Sequence, residues 1–492
     1  VKPEQTVECT SAGNCYSEFG GDDPLAEDDN QVIVTVSSSV TGVNMGFNFE
    51  IIVNTNDSGQ GSLRQFIQNS NAIAGPNLSR FMIPITDPNY NPLTGIWTIS
   101  PLSDLPNISD DDTTIDGSQQ TSYAGDTNPG GPEIEIDGSV SGANFGLYVS
   151  SVNNVTIREL IIRNFTSGWG WAVQLDRADN CLIENLVVEG CNNGINLYRG
   201  SDNNIVQGCK VTGIDGNAIS IYGSGDGCTG NIIRNNEITD CAGWTGHPYV
   251  PAIPVFSGAN DNIVENNVID GKGIGIGVAL WGYTYGGNDM PESGNVIRNN
   301  EIKEFNRGIY VAGHNPNTNS IHLVYNITIE SNVIINNSED GIVLKYTVNN
   351  TIQGNYIGLD SVGNPAGNTG NGVSLIYSDN NIIGTDGDGT NDPQEGNVIS
   401  DNSLNGIALT NSTRNVIAGN KIGTDIGGTS CIGNAQNGIS LDNSSDNTIG
   451  TNGDGVSDSE EGNLISCNQG NGIYLSYSNN NWIAGNKIGT DI

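Results

Sequence analysis

The apolar positions of this chain recur in short bursts. Asn437-Gly438-Ile439-Ser440-Leu441 is the clearest: a glycine, then two apolar residues around a variable one. The figure returns as Gly-Ile-Ala-Leu at 406–409, Gly-Ile-Tyr-Leu at 472–475, Gly-Val-Ser-Leu at 372–375, Gly-Ile-Val-Leu at 341–344 and Gly-Ile-Tyr-Val at 308–311. It persists more loosely at Gly277–Leu280, Ile253–Phe256, Ala218–Ile221, Gly194–Leu197, Ala172–Leu175 and Gly146–Val149, giving twelve rungs whose starts lie 22 to 35 residues apart. Such alternation predicts short half-buried strands, and self-similarity at this period predicts stacked repeats.

Between rungs the chain reads Asn-x-Ile-x-x-Asn-x-Ile, as in Asn262–Ile269 and Asn295–Ile302. Asparagine tolerates the left-handed corner conformation and can bond its counterpart one coil away. Three short strands per coil, turned at Asn and Gly, predict an all-β fold: a right-handed parallel β-helix solenoid. The period is too short for a propeller blade, and there is no second helix per repeat for a leucine-rich or ankyrin array. Twelve coils at the strand spacing would stack to roughly 55–60 Å.

The pattern divides the chain into four stretches. Residues 1–30 are acidic and aperiodic, an arm or linker. Residues 31–53 alternate and predict two or three N-terminal strands, either the end of an upstream module or a docking segment. Residues 54–142 hold a cap and irregular first coils, and 143–492 the regular coils. In the cap, Ser62 is placed to N-cap a helix with Gln65 at its third position, and Leu63, Phe66 and Ile67 share one face. This is the only helix the pattern predicts, a lid over the first coil. From 354 a longer order sets in: Gly354-Asn355-Tyr356-Ile357-Gly358-Leu359-Asp360 recurs at Gly419–Asp425 and Gly485–Asp491, separations of 65 and 66 residues. No polar cap follows the last coil, which leads us to expect a longer parent chain or a covering subunit. The start at Val1 leads us to expect a mature or excised chain.

Composition narrows the function. There are 55 acidic residues against 17 basic, a net charge of −38. That excludes a nucleic-acid binder, which needs Lys and Arg against phosphate, and suits an extracellular or cell-surface setting and cations such as calcium. No apolar run is long enough to enter a membrane. The nine cysteines form no Cys-x-x-Cys pair. Cys9 and Cys15 are placed to close a small loop, and Cys431 and Cys467, lying before equivalent rungs, to meet across adjacent coils. The odd count leaves one thiol over. Ten Asn-x-Ser/Thr sequons, among them Asn56, Asn107, Asn326 and Asn443, are open to glycosylation or serve the corners.

The stretch Ile52-Val53-Asn54-Thr55-Asn56-Asp57-Ser58-Gly59-Gln60-Gly61-Ser62-Leu63-Arg64-Gln65 resembles the N-terminal cap of bacterial right-handed β-helix repeat proteins of the pectin-lyase-like superfamily. The unit Gly-Asn-x-Ile-Gly-Thr-Asp … Asn-Gly-Ile-x-Leu resembles their body, so the likeness covers roughly 50–492. It implies the fold and a secreted or surface location. Relatives range over polysaccharide lyases, hydrolases, adhesins and structural stalks, so activity is not implied.

Candidate chemistry lies in three places. Asp386-Gly387-Asp388-Gly389-Thr390-Asn391-Asp392 and, 66 residues on, Asn452-Gly453-Asp454-Gly455-Val456-Ser457-Asp458 have the acid and glycine spacing of a calcium loop. Their candidate ligands are Asp386, Asp388, Asp392, Asp454 and Asp458, with Glu395, Glu460 and Glu461 to complete the shells. Trp169, Trp171, Trp244, Trp281, Tyr283 and Tyr285, with Tyr249, are expected in lateral loops, where they either stack on sugars or pack their own loops. Catalytic residues are not assembled. Arg163, Arg177, Arg199 and Arg307 are candidate bases without partnered acids, Asp110-Asp111-Asp112 lies in a turn, and His247, His314 and His322 read as loop residues. The leading expectation is therefore a structural or adhesive extracellular protein, a non-enzyme that self-associates head to tail or joins neighbouring modules. A polysaccharide lyase or hydrolase and a glycan-binding module are the alternatives.

Overall fold

The computed structural model describes residues 50–489, apart from 141, 242–248, 283–289, 315–319 and 322, together with three short strands before residue 50. Residues 1–192 and 193–492 form two compact units.

In the first unit, Gln5–Cys9 pairs antiparallel with Tyr16–Ser17 and Val43–Phe47. Most of the predicted 31–53 segment, and the expected Cys9–Cys15 loop, lie outside the described residues. The predicted helix is present as Leu63–Ser70, with Leu63, Phe66 and Ile67 buried. Ser62 Oγ accepts the Gln65 backbone N–H at 3.2 Å, while the Gln65 side chain turns to Asn69 rather than back to the cap. Two further helical segments correct the single-helix expectation: Ser118–Ala124 and the single turn Asp392–Glu395 of the second unit. The former has no apolar stripe. It is held by Gln120, which is buried and bonds both Ile83 N–H and Ile83 carbonyl. Asp111 and Asp112 accept bonds from Asn153 and Asn154 one coil on, so the acidic triplet serves a corner.

The coils are those of a parallel β-helix. Every predicted rung falls on a parallel strand: Phe145–Ser150 pairs with Trp171–Asp176 in the first unit, and ten strands from Asn193–Tyr198 to Ile473–Ser476 make the rung sheet of the second. Two further parallel sheets take the other strands of each coil, for example Ile205–Gln207 with Ile232–Arg234 and Lys210–Thr212 with Glu237–Thr239. Ile and Leu of each rung point inward and are buried, as at Ile439 and Leu441. Each such side chain contributes about 1.5–3 kcal/mol. The glycine that opens a rung is sterically required: a Cβ at Gly438 would lie 2.4 Å from Ile465 Cγ2.

Asparagine has two separate roles that the sequence pattern merges. In pairs such as Asn235-Asn236, Asn266-Asn267 and Asn299-Asn300, the first residue takes the left-handed turn, with φ of 55°, 56° and 54°. The second points inward and builds a ladder. Asn267 Oδ1 accepts both the backbone N–H and the Nδ2–H of Asn236, and Asn267 Nδ2 donates in turn to Asn300 Oδ1. This ladder continues through Asn332, Asn355, Asn397, Asn420 and Asn463 to Asn486. Buried amides that satisfy one another fix the coil register where an apolar core alone would let it slip.

Candidate functional site

The outward positions of the rung sheet in residues 193–492 carry a column of rings. Register pairs Tyr198 with Tyr222, Tyr222 with Phe256, and Phe256 with Trp281. Because strand stacking fixes the spacing, their ring centroids follow at 5.4, 4.7 and 5.9 Å, and Tyr310 meets the Trp281 edge at 6.5 Å. All five are half-buried. Burial pushes the Tyr222 and Tyr310 hydroxyls above the ordinary tyrosine range. Cations edge the column in this acidic chain. The Arg199 guanidinium lies 4.6 Å from the Tyr198 ring, and Arg307 lies 5.0 Å from both Tyr249 and Tyr310 while pairing with Glu339 at 2.8 Å. A second stack, His314–Tyr346–Tyr377, follows at 4.7 and 4.9 Å.

Of the predicted aromatics, Trp281 belongs to this column, at the end of strand Ile276–Trp281 rather than in a loop. Trp171 also begins a strand, in the first unit, and Trp169 is an exposed turn residue before it. Trp244, Tyr283 and Tyr285 lie outside the described residues, as do His247 and His322. Sequence reasoning missed Tyr198, Tyr222, Phe256 and Tyr310. The first three share with Trp281 the place just after the second inward residue of the rung, and aligning the rungs on that place would have found them. Arg163 pairs with Glu135 and Arg177 with Asp176, in the first unit, so only Arg199 and Arg307 stand at the rings.

The two acidic loops lie elsewhere, in turns between the second and third sheets. Asp386, Asp392 and Glu395 converge, with one carboxylate oxygen from each within 4.8 Å of the other two. Burial pushes the Glu395 carboxyl up, and the charges of Asp386 and Asp392 push it the same way. Hydroxyls of Ser457 and Thr385 hold Asp392 below the usual carboxylate range. Asp388 does not join the cluster. Asp454 and Asp458, with Asn452 in place of the first acid, form no such group. The loops face each other across an open polar cleft of about 600 Å³ lined by Gly389, Asn391, Asp392, Gly455, Ser457 and Asp458.

Two buried chemistries are structural. Glu292 is fully buried in a column with Ala259 and Val324, and burial lifts its carboxyl well above the ordinary range despite the Ser257 and Gly258 N–H groups beside it. The thiols of Cys181, Cys191 and Cys241 are pushed by burial up to about 12, so they pack rather than react. Cys431 and Cys467 form the expected disulfide, with Cα atoms 5.4 Å apart, which points to a non-cytoplasmic setting. No helix among the described residues is long and apolar enough to cross a membrane.

A family model described as "Right handed beta helix region" matches residues 112–269 and 171–386, together more than half of the chain. The chain belongs to the right-handed β-helix family. This β-helix protein is similar in structure to the A-module of the Azotobacter vinelandii mannuronan C-5 epimerase AlgE6. Identity is 14%, the TM-score is 0.50, and 89% of this chain and 97% of that one are covered. It is also similar to the periplasmic alginate epimerase AlgG, at 14% identity and TM-score 0.46, over 76% of this chain and 84% of that one. The Dettilon tailspike protein matches at 16% identity and TM-score 0.48, over 87% of this chain and 67% of that one. At these identities the shared property is the fold.

Proposed function

We propose that this β-helix protein acts on a polysaccharide, which it takes along the outer face of its rung sheet. The observation that carries the proposal is the column of one ring per coil: Tyr198, Tyr222, Phe256 and Trp281, extended by Tyr310. Sugar rings are apolar on their faces and polar at their rims, and stacked aromatics bind them by their own apolar faces. The coil repeat sets a ring spacing on the scale of one sugar residue. Arg199 and Arg307, the latter paired with Glu339, put guanidinium groups at the column for an acidic chain approaching this face. A structural or adhesive stalk gives these rings no task and ranks second. Two of the proteins that share the fold are named for acting on alginate or mannuronan, so alginate heads the ligand panel.

The test is calorimetric titration of the intact chain and its Trp281→Ala variant with alginate, polygalacturonate and neutral glucan oligosaccharides. The variant should bind at least about threefold more weakly. A wild-type chain that binds none of them sinks the reading. Incubation with the polymer that binds, followed by assays for unsaturated ends, reducing ends and altered sugar configuration, separates turnover from holding.

We also infer a hard-cation place, calcium by charge and ligand type, at Asp386, Asp392 and Glu395. The convergence of the three carboxylates supports it, since a divalent ion would relieve the repulsion that Asp386 and Asp392 add to the burial of Glu395. An extracellular or cell-surface location is part of the same proposal.

A further inference from the structure

The corner after each rung strand forms a column of its own. Tyr346 N–H donates to Ile376 carbonyl, Tyr377 N–H to Thr410 carbonyl, Asn411 N–H to Asp442 carbonyl and Asn443 N–H to Ser476 carbonyl, at 2.8–3.1 Å. These four corners and the next, Tyr477, are left-handed, with φ of 56°, 51°, 50°, 50° and 48°. Asparagine is at home in that region, whereas a bulky side chain there is a genuine outlier. Positions 346 and 377 therefore hold tyrosine against a backbone that asparagine satisfies at 411 and 443. Strain of this kind persists where something else requires the residue, and function is one such requirement.

The tyrosines do little packing for it. Their rings stack at 4.9 Å and 3° from parallel, with His314 against Tyr346 and the Lys345 ammonium 5.9 Å from the Tyr346 ring. Tyr377 remains 44% exposed. The next corner after Tyr377 holds no ring. It holds the Asn411 side chain, whose oxygen accepts from Asn443 Nδ2. The stack ends on an aromatic face with an amide beyond it.

We propose that His314, Tyr346 and Tyr377 form a ring-stacking platform that takes one sugar residue against the exposed face of Tyr377. The Asn411 side chain at the next corner and the Lys345 ammonium beside the Tyr346 ring supply polar groups for the sugar's hydroxyls or carboxylate. The platform rests on the polysaccharide reading and adds to the Trp281 column a separate anchoring place for the same class of ligand.

The experiment uses the full chain, the variants Tyr346→Asn, Tyr377→Asn and Trp281→Ala, and a fluorescent alginate hexasaccharide, with thermal midpoints measured alongside. Asparagine already occupies this corner twice, so the tyrosine variants should fold, with midpoints unchanged or raised by roughly one or two degrees. Their affinity for the hexasaccharide should fall about threefold to tenfold. Unchanged affinity overturns the platform whatever the midpoint does. Weaker binding together with a lower midpoint also overturns it, since the rings would then be packing residues. If Trp281→Ala weakens binding and the tyrosine variants do not, the platform alone fails. If the wild-type chain does not bind the hexasaccharide, or Trp281→Ala is neutral, the polysaccharide reading on that column fails.

Discussion

Residues 354–418 and 419–484 carry the same two-coil unit, and their acidic loops close on the same hydrogen bonds. Thr385 Oγ1 donates to Asp392 at 2.6 Å, and Thr451 Oγ1 to Asp458 at 2.6 Å. The Asp388 N–H meets Asp386 Oδ1 at 3.1 Å, and the Asp454 N–H meets Asn452 Oδ1 at 2.9 Å. The backbone N–H of Asp386 reaches Glu395, and that of Asn452 reaches Glu461. An amide thus serves the turn as well as a carboxylate does. The turn needs an acceptor at this place, and the charge of Asp386 is surplus to folding. The seam between coils makes the same point. Asp401 accepts the Gly367 N–H at 2.9 Å in the first copy, while in the second its counterpart Cys467 forms a disulfide with Cys431, the counterpart of Pro365. Asp401 and Cys467 are both left-handed, with φ of 63° and 59°. One backbone geometry accepts either a polar or a covalent tie.

The copies differ also in cover. Leu409 and Ile417 are at most 1% exposed, while their counterparts Leu475 and Ile483 are 40% and 41% exposed. That exposure is confined to the last coil, since Ile422, Ile439, Leu441 and Ile449 of the second copy are buried, so solvent should soften substitutions in the last coil alone. The largest effect is expected at Asn420. Its Oδ1 receives both the N–H and Nδ2–H of Asn397, and its own amide supplies Asn463 and the Ile383 carbonyl. Asn420→Ala orphans several buried groups at about 1–3 kcal/mol each and should cost on the order of 3–5 kcal/mol. Asn486→Ala, at the equivalent but part-buried place in the last coil, beyond both copies, should cost about 1 kcal/mol. Urea midpoints compare them, and equal losses would break the argument from cover.

The seam comes next. Replacing Cys431 and Cys467 with Ser should cost about 3–4 kcal/mol on loop entropy. Asp401→Ala removes a hydrogen bond worth about 1 kcal/mol. Amide hydrogen exchange at the two seams would rank them, and a larger loss at Asp401 would overturn that order.

The smallest effects belong to the loops. Calcium should raise the thermal midpoint of the wild-type chain by a few degrees, Asp386→Asn should abolish the response, and Asn452→Asp should add to it. The pH dependence has a definite sign. The folded-state pKa of Glu395 is raised, so its contribution to stability is present below the ordinary carboxylate range and is lost as pH rises through the folded value. Without calcium, Glu395→Gln should flatten the fall in midpoint on going from acid to neutral pH, by about 0.5 kcal/mol or less for a partly exposed group. A wild-type midpoint indifferent to both calcium and pH would remove the cation place.

The sequence made the rungs fully legible, because alternation survives in every coil and a glycine or alanine opens each one. It also exposed the Leu63–Ser70 helix, whose cap and apolar face are local, and the Cys431–Cys467 pair, whose spacing matches one coil. The Ser118–Ala124 helix was hidden because a long-range pair, Gln120 with Ile83, holds it rather than a hydrophobic stripe. The ring column was hidden for a similar reason. Tyr198 and Trp281 are 83 residues apart in sequence, and only strand register puts them in line. Glu292 could not have been read at all, since nothing in Pro291-Glu292-Ser293 announces burial.

The asparagine ladders have a consequence for how such a chain can grow. Each coil presents to the next the same acceptor and donor that it received from the one before. A block cut between Asn355 and Asn420 has matching ends, so copying it in tandem at the gene level leaves both new junctions already bonded. Lengthening then needs no compensating change elsewhere, and the freedom to vary is confined to what each copied block carries on its outside.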